Sequence, residues 1–272
     1  MTKCFAKLIG ACALAAVPAV VAQAQLANGL VNKPRVFNGW PTSTLTMSNN
    51  NSVSGGTATI DDRNATGGAG VNRHDVLLSG DHGATPMTLS IDTPFSISAT
   101  LNLTDNSNAP RKEAGIRINA PVTGDALFII NSDAGEIVSF GGGMPFHLFG
   151  SNSGGNGYTP GTPIRLSLTY TPGAGGTTGA NPASVDLAVT YAGLNGGSTV
   201  DTGPLAWSNV EGGPTSFQVG VYTQWGPSDA NDFDHLNVTN LNANVVPEPA
   251  SAGLVALGAL GFLARRRGAR IG

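Results

Sequence analysis

The chain has 272 residues, of which 11% are charged, with 38 glycines and two cysteines. Its formal net charge of −3 averages basic ends with an acidic middle: residues 25–246 hold 16 acidic groups against eight lysines and arginines. A body of that sign repels phosphate, which argues against nucleic acid as a partner and leaves neutral polysaccharide or bridging calcium compatible.

The N-terminus carries Lys3 and Lys7, an apolar stretch over 8–21, and small residues at Ala22 and Ala24 around Gln23. This is the order of a secretory signal peptide, with cleavage expected after Ala24. A helix of a cytosolic domain would not explain the small-residue site. Ile9, Gly10, Ala11 and Cys12 also resemble a lipobox, but two residues between Lys7 and Gly10 make too short a hydrophobic core, and the apolar run continues past Cys12. Cys4 and Cys12 both lie in the segment to be removed, so the mature chain is expected to have no disulfide, thiolate nucleophile or cysteine metal site.

Residues 25–87 are irregular. The stretch 43–56 is polar, with Asn49, Asn50 and Asn51 reading as a loop, while 57–60 and 76–78 read as strands. From 95 onward the period is two. Phe95, Ile97, Ala99, Leu101 and Leu103 alternate with polar residues, as do Ile164, Leu166, Leu168 and Tyr170, then Val185, Leu187, Val189 and Tyr191, then Phe217, Val219 and Val221. Such alternation predicts strands with one face on a core and one in water. Further strands are predicted at 116–118, 126–130, 136–140, 146–149 and 236–241. Glycine and proline at Gly135, Gly141, Gly142, Gly143, Pro172, Gly173, Gly212, Gly213 and Pro214 supply the turns. Nine or ten strands over 95–241 without a convincing helix predict one all-β domain, 25–245, built as an antiparallel β-sandwich or jelly roll. An elongated β-solenoid is the alternative, and it lacks the fixed-period repeat it would need.

The order of these passages (95–101, 114–118, 125–130, 164–170, 185–191, 217–221 and the closing 232–238) resembles the concanavalin A-like, laminin G-like lectin and glucanase superfamily. That resemblance implies a jelly-roll sandwich. Because the superfamily holds binding modules, adhesion domains and glycoside hydrolases, it selects no function.

The residues themselves narrow the chemistry. A glycoside hydrolase needs two carboxyl groups across the scissile bond. Glu113, Glu136 and Glu211 each lack an acidic neighbour at i+2 or i+4, and Asp232 with Asp234 sit in a turn-like context. His74, His82, His147 and His235 show no zinc spacing. His147, between Phe146 and Leu148, is a candidate for a binding surface or simply a neutral polar position. Calcium needs oxygen ligands, and Asp229, Asn231, Asp232 and Asp234 form the first candidate set; Asp61 with Asp62, and Asp133 with Glu136, are others, and plain acidic turns are the competing reading. For sugar stacking, Trp225 is the first candidate, directly after a strand in a loop of polar donors and acceptors with Tyr222 three residues before it, then Trp207; tryptophan filling the end of a sandwich core is the competing reading. Trp40 is ambiguous.

The C-terminus closes with Val246, Pro247, Glu248, Pro249, Ala250 and Ser251, an uncharged stretch of 15 residues over 250–264, and Arg265, Arg266 and Arg267. The stretch is expected to be a short transmembrane helix, although at 1.5 Å per residue it reaches roughly 22 Å against a hydrocarbon core of roughly 30 Å. The arginines would stay on the cytoplasmic side. Motif, greasy segment and basic tail in that order resemble the PEP-CTERM sorting signal of Gram-negative bacteria, over about 246–270. The resemblance implies processing by an exosortase-type membrane protease, passage through the inner membrane, and residence at the surface or in an exopolysaccharide matrix. The expectation for the whole chain is a non-catalytic exported protein, structural or glycan-binding. The alternatives are an adhesion protein without a sugar pocket and a glycoside hydrolase.

Overall fold

A computed structural model describes residues 27–35, 42–48, 53–63, 71–105, 107–108, 111–120, 124–173, 182–207, 216–226 and 233–245. In chain order the strands are β1 (Gly29–Arg35), β2 (Thr42–Ser48), β3 (Gly56–Arg63), β4 (Asn72–Ser79), β5 (Leu89–Ser90), β6 (Phe95–Asp105), β7 (Lys112–Ala120), β8 (Gly124–Asn131), β9 (Ile137–Phe140), β10 (His147–Gly150), β11 (Ile164–Thr171), β12 (Ser184–Tyr191), β13 (Val200–Ala206), β14 (Ser216–Trp225) and β15 (Phe233–Val245). Two single 3-10 turns are the helical elements among the described residues.

The strands assemble as two sheets. The first runs β1-β4-β14-β7-β8-β9-β10, with β5 paired to the start of β14; the second runs β13-β12-β11-β6-β15-β3-β2. Every pairing among them is antiparallel. The alternation read from the sequence dictates the packing. In β6 each of Phe95, Ile97, Ala99, Leu101 and Leu103 is buried while the residues between them are half-exposed. These side chains meet Ile116, Ile118, Phe128, Val219 and Val221 of the first sheet and Leu166, Leu187 and Leu236 of the second in one core. Each such side chain other than Ala99 stabilises the fold by roughly 1.5–3 kcal/mol on burial. Phe95, Tyr170 and Phe217 form an aromatic cluster with centroids 5.3–5.5 Å apart, and the Tyr170 hydroxyl donates to the Ile91 carbonyl at 2.7 Å. The β-sandwich expectation therefore stands, and 95–245 holds ten strands.

Two strands lie where the sequence reading named none. Residues 42–48, ending just before the Asn49 to Asn51 loop, form β2, and 200–206 form β13. Both are edge strands of the second sheet. An edge strand pairs on one side and needs little apolar alternation. In β13, Gly203 at φ +61° and Pro204 accompany a register shift against β12, so its residues imitate a turn.

One part of the expected fold class is corrected. No helix among the described residues is long and apolar enough to cross a membrane. The segment to which the transmembrane helix was assigned, 250–264, lies outside the described residues.

Candidate functional site

The outer face of the first sheet is where the sequence departs from the inside-apolar, outside-neutral rule. Strand parity turns Arg73 and Asp75 of β4, Tyr222 and Gln224 of β14, Glu113 and Arg117 of β7, and Asp125 and Asn131 of β8 away from the core. Register then aligns them in rows: Arg73, Gln224, Glu113 and Asn131 in one, Asp75, Tyr222, Gly115 and Ile129 in the next, Leu77, Gly220, Arg117 and Leu127 in the third. Two positions in these rows require glycine. A Cβ on Gly115 would lie 2.2 Å from the Phe128 carbonyl oxygen, and one on Gly220 2.2 Å from that of Val76.

Two polar networks occupy this face. In the first, Arg117 pairs with Asp75 at 3.0 Å and Asp125 at 2.5 Å, while Arg73 pairs with the same two carboxylates at 3.3 and 3.0 Å. The four groups close a ring of alternating charge. Arg117 and Asp75 are almost fully buried. Burial raises the Asp75 carboxyl above its ordinary range, and the Arg117 and Arg73 guanidiniums pull it back.

The second network centres on Glu113. Its Oε1 accepts from the Tyr222 hydroxyl at 3.0 Å and from Gln224 Nε2 at 3.3 Å, and its Oε2 accepts from Arg111 Nε at 3.1 Å. Arg111 Nη1 also reaches Glu136 at 3.1 Å and stands 3.9 Å from Asp133; Asn131 Nδ2 donates to Glu136 at 2.7 Å. Burial holds the Tyr222 hydroxyl protonated far above its usual range, and the Glu113 carboxylate reinforces this. A cleft of about 290 Å³ opens at this end, lined by Val71, Arg111, Glu113, Gln224, Trp225 and Gly226. Farther along the sheet, apolar Leu127, Ile129, Val138 and Phe140 continue the face, and Phe146 (73% exposed) and Leu148 (45%) stand at the β10 edge.

Between the sheets at the cleft end lies a buried polar cluster. His74 Nε2 meets Asp62 Oδ1 at 2.9 Å, and Lys112 Nζ donates to the Ser107 carbonyl at 2.8 Å and sits 5.8 Å from the Trp225 ring. Thr223 Oγ1 contacts Asp234 Oδ2 at 2.5 Å and the Glu113 carbonyl oxygen at 3.0 Å. Loss of solvent pushes the Asp234 carboxyl well above the carboxylate range.

The candidates read from the sequence fall as follows. Tyr222 belongs to the Glu113 network. Trp225 is buried on the inner side of β14 while forming part of the cleft wall, so it offers no free ring face. Trp207 is buried, edge-on to Tyr170 at 5.7 Å. His147 stands half-buried on β10 against Phe149, away from the cleft. Of the calcium set, Asp234 is buried against Thr223, and Asp229, Asn231 and Asp232 lie outside the described residues, as do Pro247, Glu248, Pro249, Arg265, Arg266 and Arg267. Asp62 is engaged by His74, and Glu136 by Arg111. Among the described residues no group of three or more acidic or histidine side chains is arranged to hold a metal. Arg73, Asp75, Arg111, Glu113, Arg117 and Gln224 were not anticipated. The signal was charge at i and i+2 in the β4 segment and at i and i+4 in the β7 segment, which marks an outer face without telling which strands adjoin.

Comparison with known proteins adds a route. Residues 245–267 match the PEP-CTERM protein-sorting motif. No curated protein matches the chain in sequence. Among solved structures, an alginate lyase from Corynebacterium sp. is similar at 11% identity over 80% of this chain and 95% of that one, with a TM-score of 0.49. An alginate lyase of polysaccharide lyase family 7 is similar at 10% identity over 70% and 79%, TM-score 0.44. Lectin II from Ulex europaeus is similar at 9% identity over 79% and 98%, TM-score 0.40. The chain thus carries a PEP-CTERM sorting motif, which supports export, exosortase-type processing and a surface or extracellular destination, behind a β-sandwich.

Proposed function

We propose that this chain is an exported surface or matrix protein that binds exopolysaccharide, without cleaving it, on the outer face of its first sheet. The observation that carries the reading is the cleft beside Glu113. There a guanidinium, two carboxylates and an amide are held in fixed positions by one another. Sugar hydroxyls both donate and accept, so they suit a surface that alternates donors with acceptors, and fixed side chains lose little entropy on binding. The sorting motif supports the destination in which such a ligand is met.

A hydrolase has one observation in its favour: Glu113 and Glu136 lie on one guanidinium. Both are also committed elsewhere, Glu113 to Tyr222 and Gln224 and Glu136 to Asn131, which suits positioning better than proton transfer. The two readings separate in one experiment. Purified protein is incubated with anionic and neutral exopolysaccharides, and both saturable binding and new chain ends are measured. Saturable binding weakened about tenfold in Arg111→Ala, a loss of ~1.4 kcal/mol, with no new chain ends, is expected. Chain cleavage abolished in Glu113→Gln would establish the hydrolase, and no binding to any glycan would leave a structural or adhesion protein.

A further inference from the structure

The second sheet presents a different outer face. Across β15, β6 and β11, register places Asn244 beside Ser96 and Ser96 beside Thr169, and in the next row Asn242 beside Ser98 and Ser98 beside Ser167. These six side chains line a shallow groove of about 310 Å³. None of the six is ionisable, and each hydroxyl or amide both donates and accepts. Neighbours across strands lie roughly 4.8 Å apart, close to the length of one pyranose unit in an extended chain.

Part of this array is already held in place. Asn242 Nδ2 donates to the Asn240 carbonyl at 2.8 Å and its Oδ1 accepts from the Gly55 N–H at 3.1 Å. Ser98 Oγ accepts from Arg165 Nη2 at 2.8 Å, which leaves its proton to donate outward. Ser96, Ser167, Thr169 and Asn244 make no side-chain hydrogen bond among the described residues, and all four are half-exposed or exposed. A protein partner would need an apolar centre to its interface. Here Ile97 and Leu168 are buried toward the core. A charged polymer would give up water without gaining an opposite charge from any residue lining the groove, and the Arg165 guanidinium beside it is already bound to Ser98.

We propose that this groove is a second binding face, which takes an uncharged polysaccharide chain across β15, β6 and β11. With the charged face on the opposite side of the sandwich, the molecule would bridge two chains of different chemistry; that bridging rests on the first-sheet reading, while the groove itself does not.

The test is affinity electrophoresis of the full chain in gels containing a soluble neutral glucan, with a polyuronate gel in parallel. The variants are Ser167→Glu with Thr169→Glu, Asn244→Asp, and Arg111→Ala, each first shown to keep the wild-type unfolding temperature within a few degrees. Retardation by the neutral glucan should weaken at least tenfold in the double variant and measurably in Asn244→Asp. No retardation by neutral glucan, or retardation indifferent to both groove variants, would each overturn the proposal. Loss of polyuronate binding in Arg111→Ala speaks to the first-sheet face and leaves the groove result standing.

Discussion

Thr223 has one hydroxyl proton and two acceptors within reach, the Glu113 carbonyl and the Asp234 carboxyl. Both contacts are hydrogen bonds when Asp234 is protonated and donates to Thr223, which then donates to Glu113. Burial, the main cause of the raised Asp234 titration, favours the same neutral form. The consequence for stability has a definite sign. In the unfolded chain the group ionises near pH 4, so the folded state holds the extra proton, and stability is lost as pH rises from there through the folded-state value. Asp234→Asn keeps the shape and removes the cost. Its unfolding temperature should match that of wild type near pH 4 and exceed it increasingly toward pH 8. A constant difference across that range would show Asp234 to be ionised in the fold. Gly115 makes a steric prediction: the Cβ of Gly115→Ala collides with the Phe128 backbone, which cannot swing away as a side chain can. A loss of about 1–3 kcal/mol in urea denaturation is expected.

At the scale of elements, the ring of Arg73, Asp75, Arg117 and Asp125 ties β4, β7 and β8 together across β14. Replacing Arg117 by methionine leaves buried Asp75 with half its compensation, and a loss of about 3–5 kcal/mol is expected by chemical denaturation. Arg165→Met, on the half-exposed face of β11, should cost about 0.5 kcal/mol. The same elements show what the sequence could disclose. The strands β6, β11, β12 and β14 were legible because each buries every second residue, a period that survives without knowing any partner. The edge strands β2 and β13 were not, since pairing on one side relaxes that period. The ion-pair face lay in between. Arg73 with Asp75 and Glu113 with Arg117 showed outward charge, but 38 to 44 residues separate the two pairs. Only β14, inserted between β4 and β7, brings them together. Trp225 failed as an exposed ring because parity with Val219 and Val221 turns it inward, and a local reading of its polar neighbours concealed that parity.

For the whole molecule, the sorting motif and the proposed binding faces would act in sequence, export first and binding after it. The PEP-CTERM motif predicts that protein recovered from its native envelope has an intact mass lacking the C-terminal segment, and that altering Pro247, Glu248 and Pro249 together leaves the segment attached. An unchanged mass in wild type would contradict that route. The acidic body concentrates Arg73, Arg111 and Arg117 along the networks of one face, while the groove on the other face is lined without charge.

Glycan binding at the Glu113 cleft is measured most directly by an NMR titration of the protein with exopolysaccharide, following the side-chain N–H signals of Arg111 and Gln224. Binding at the Glu113 cleft predicts saturable shifts of both, smaller shifts at Arg73, and none at the indole N–H of core-buried Trp207. Signals at Arg111 and Gln224 that stay fixed throughout, while others move or none do, would contradict it.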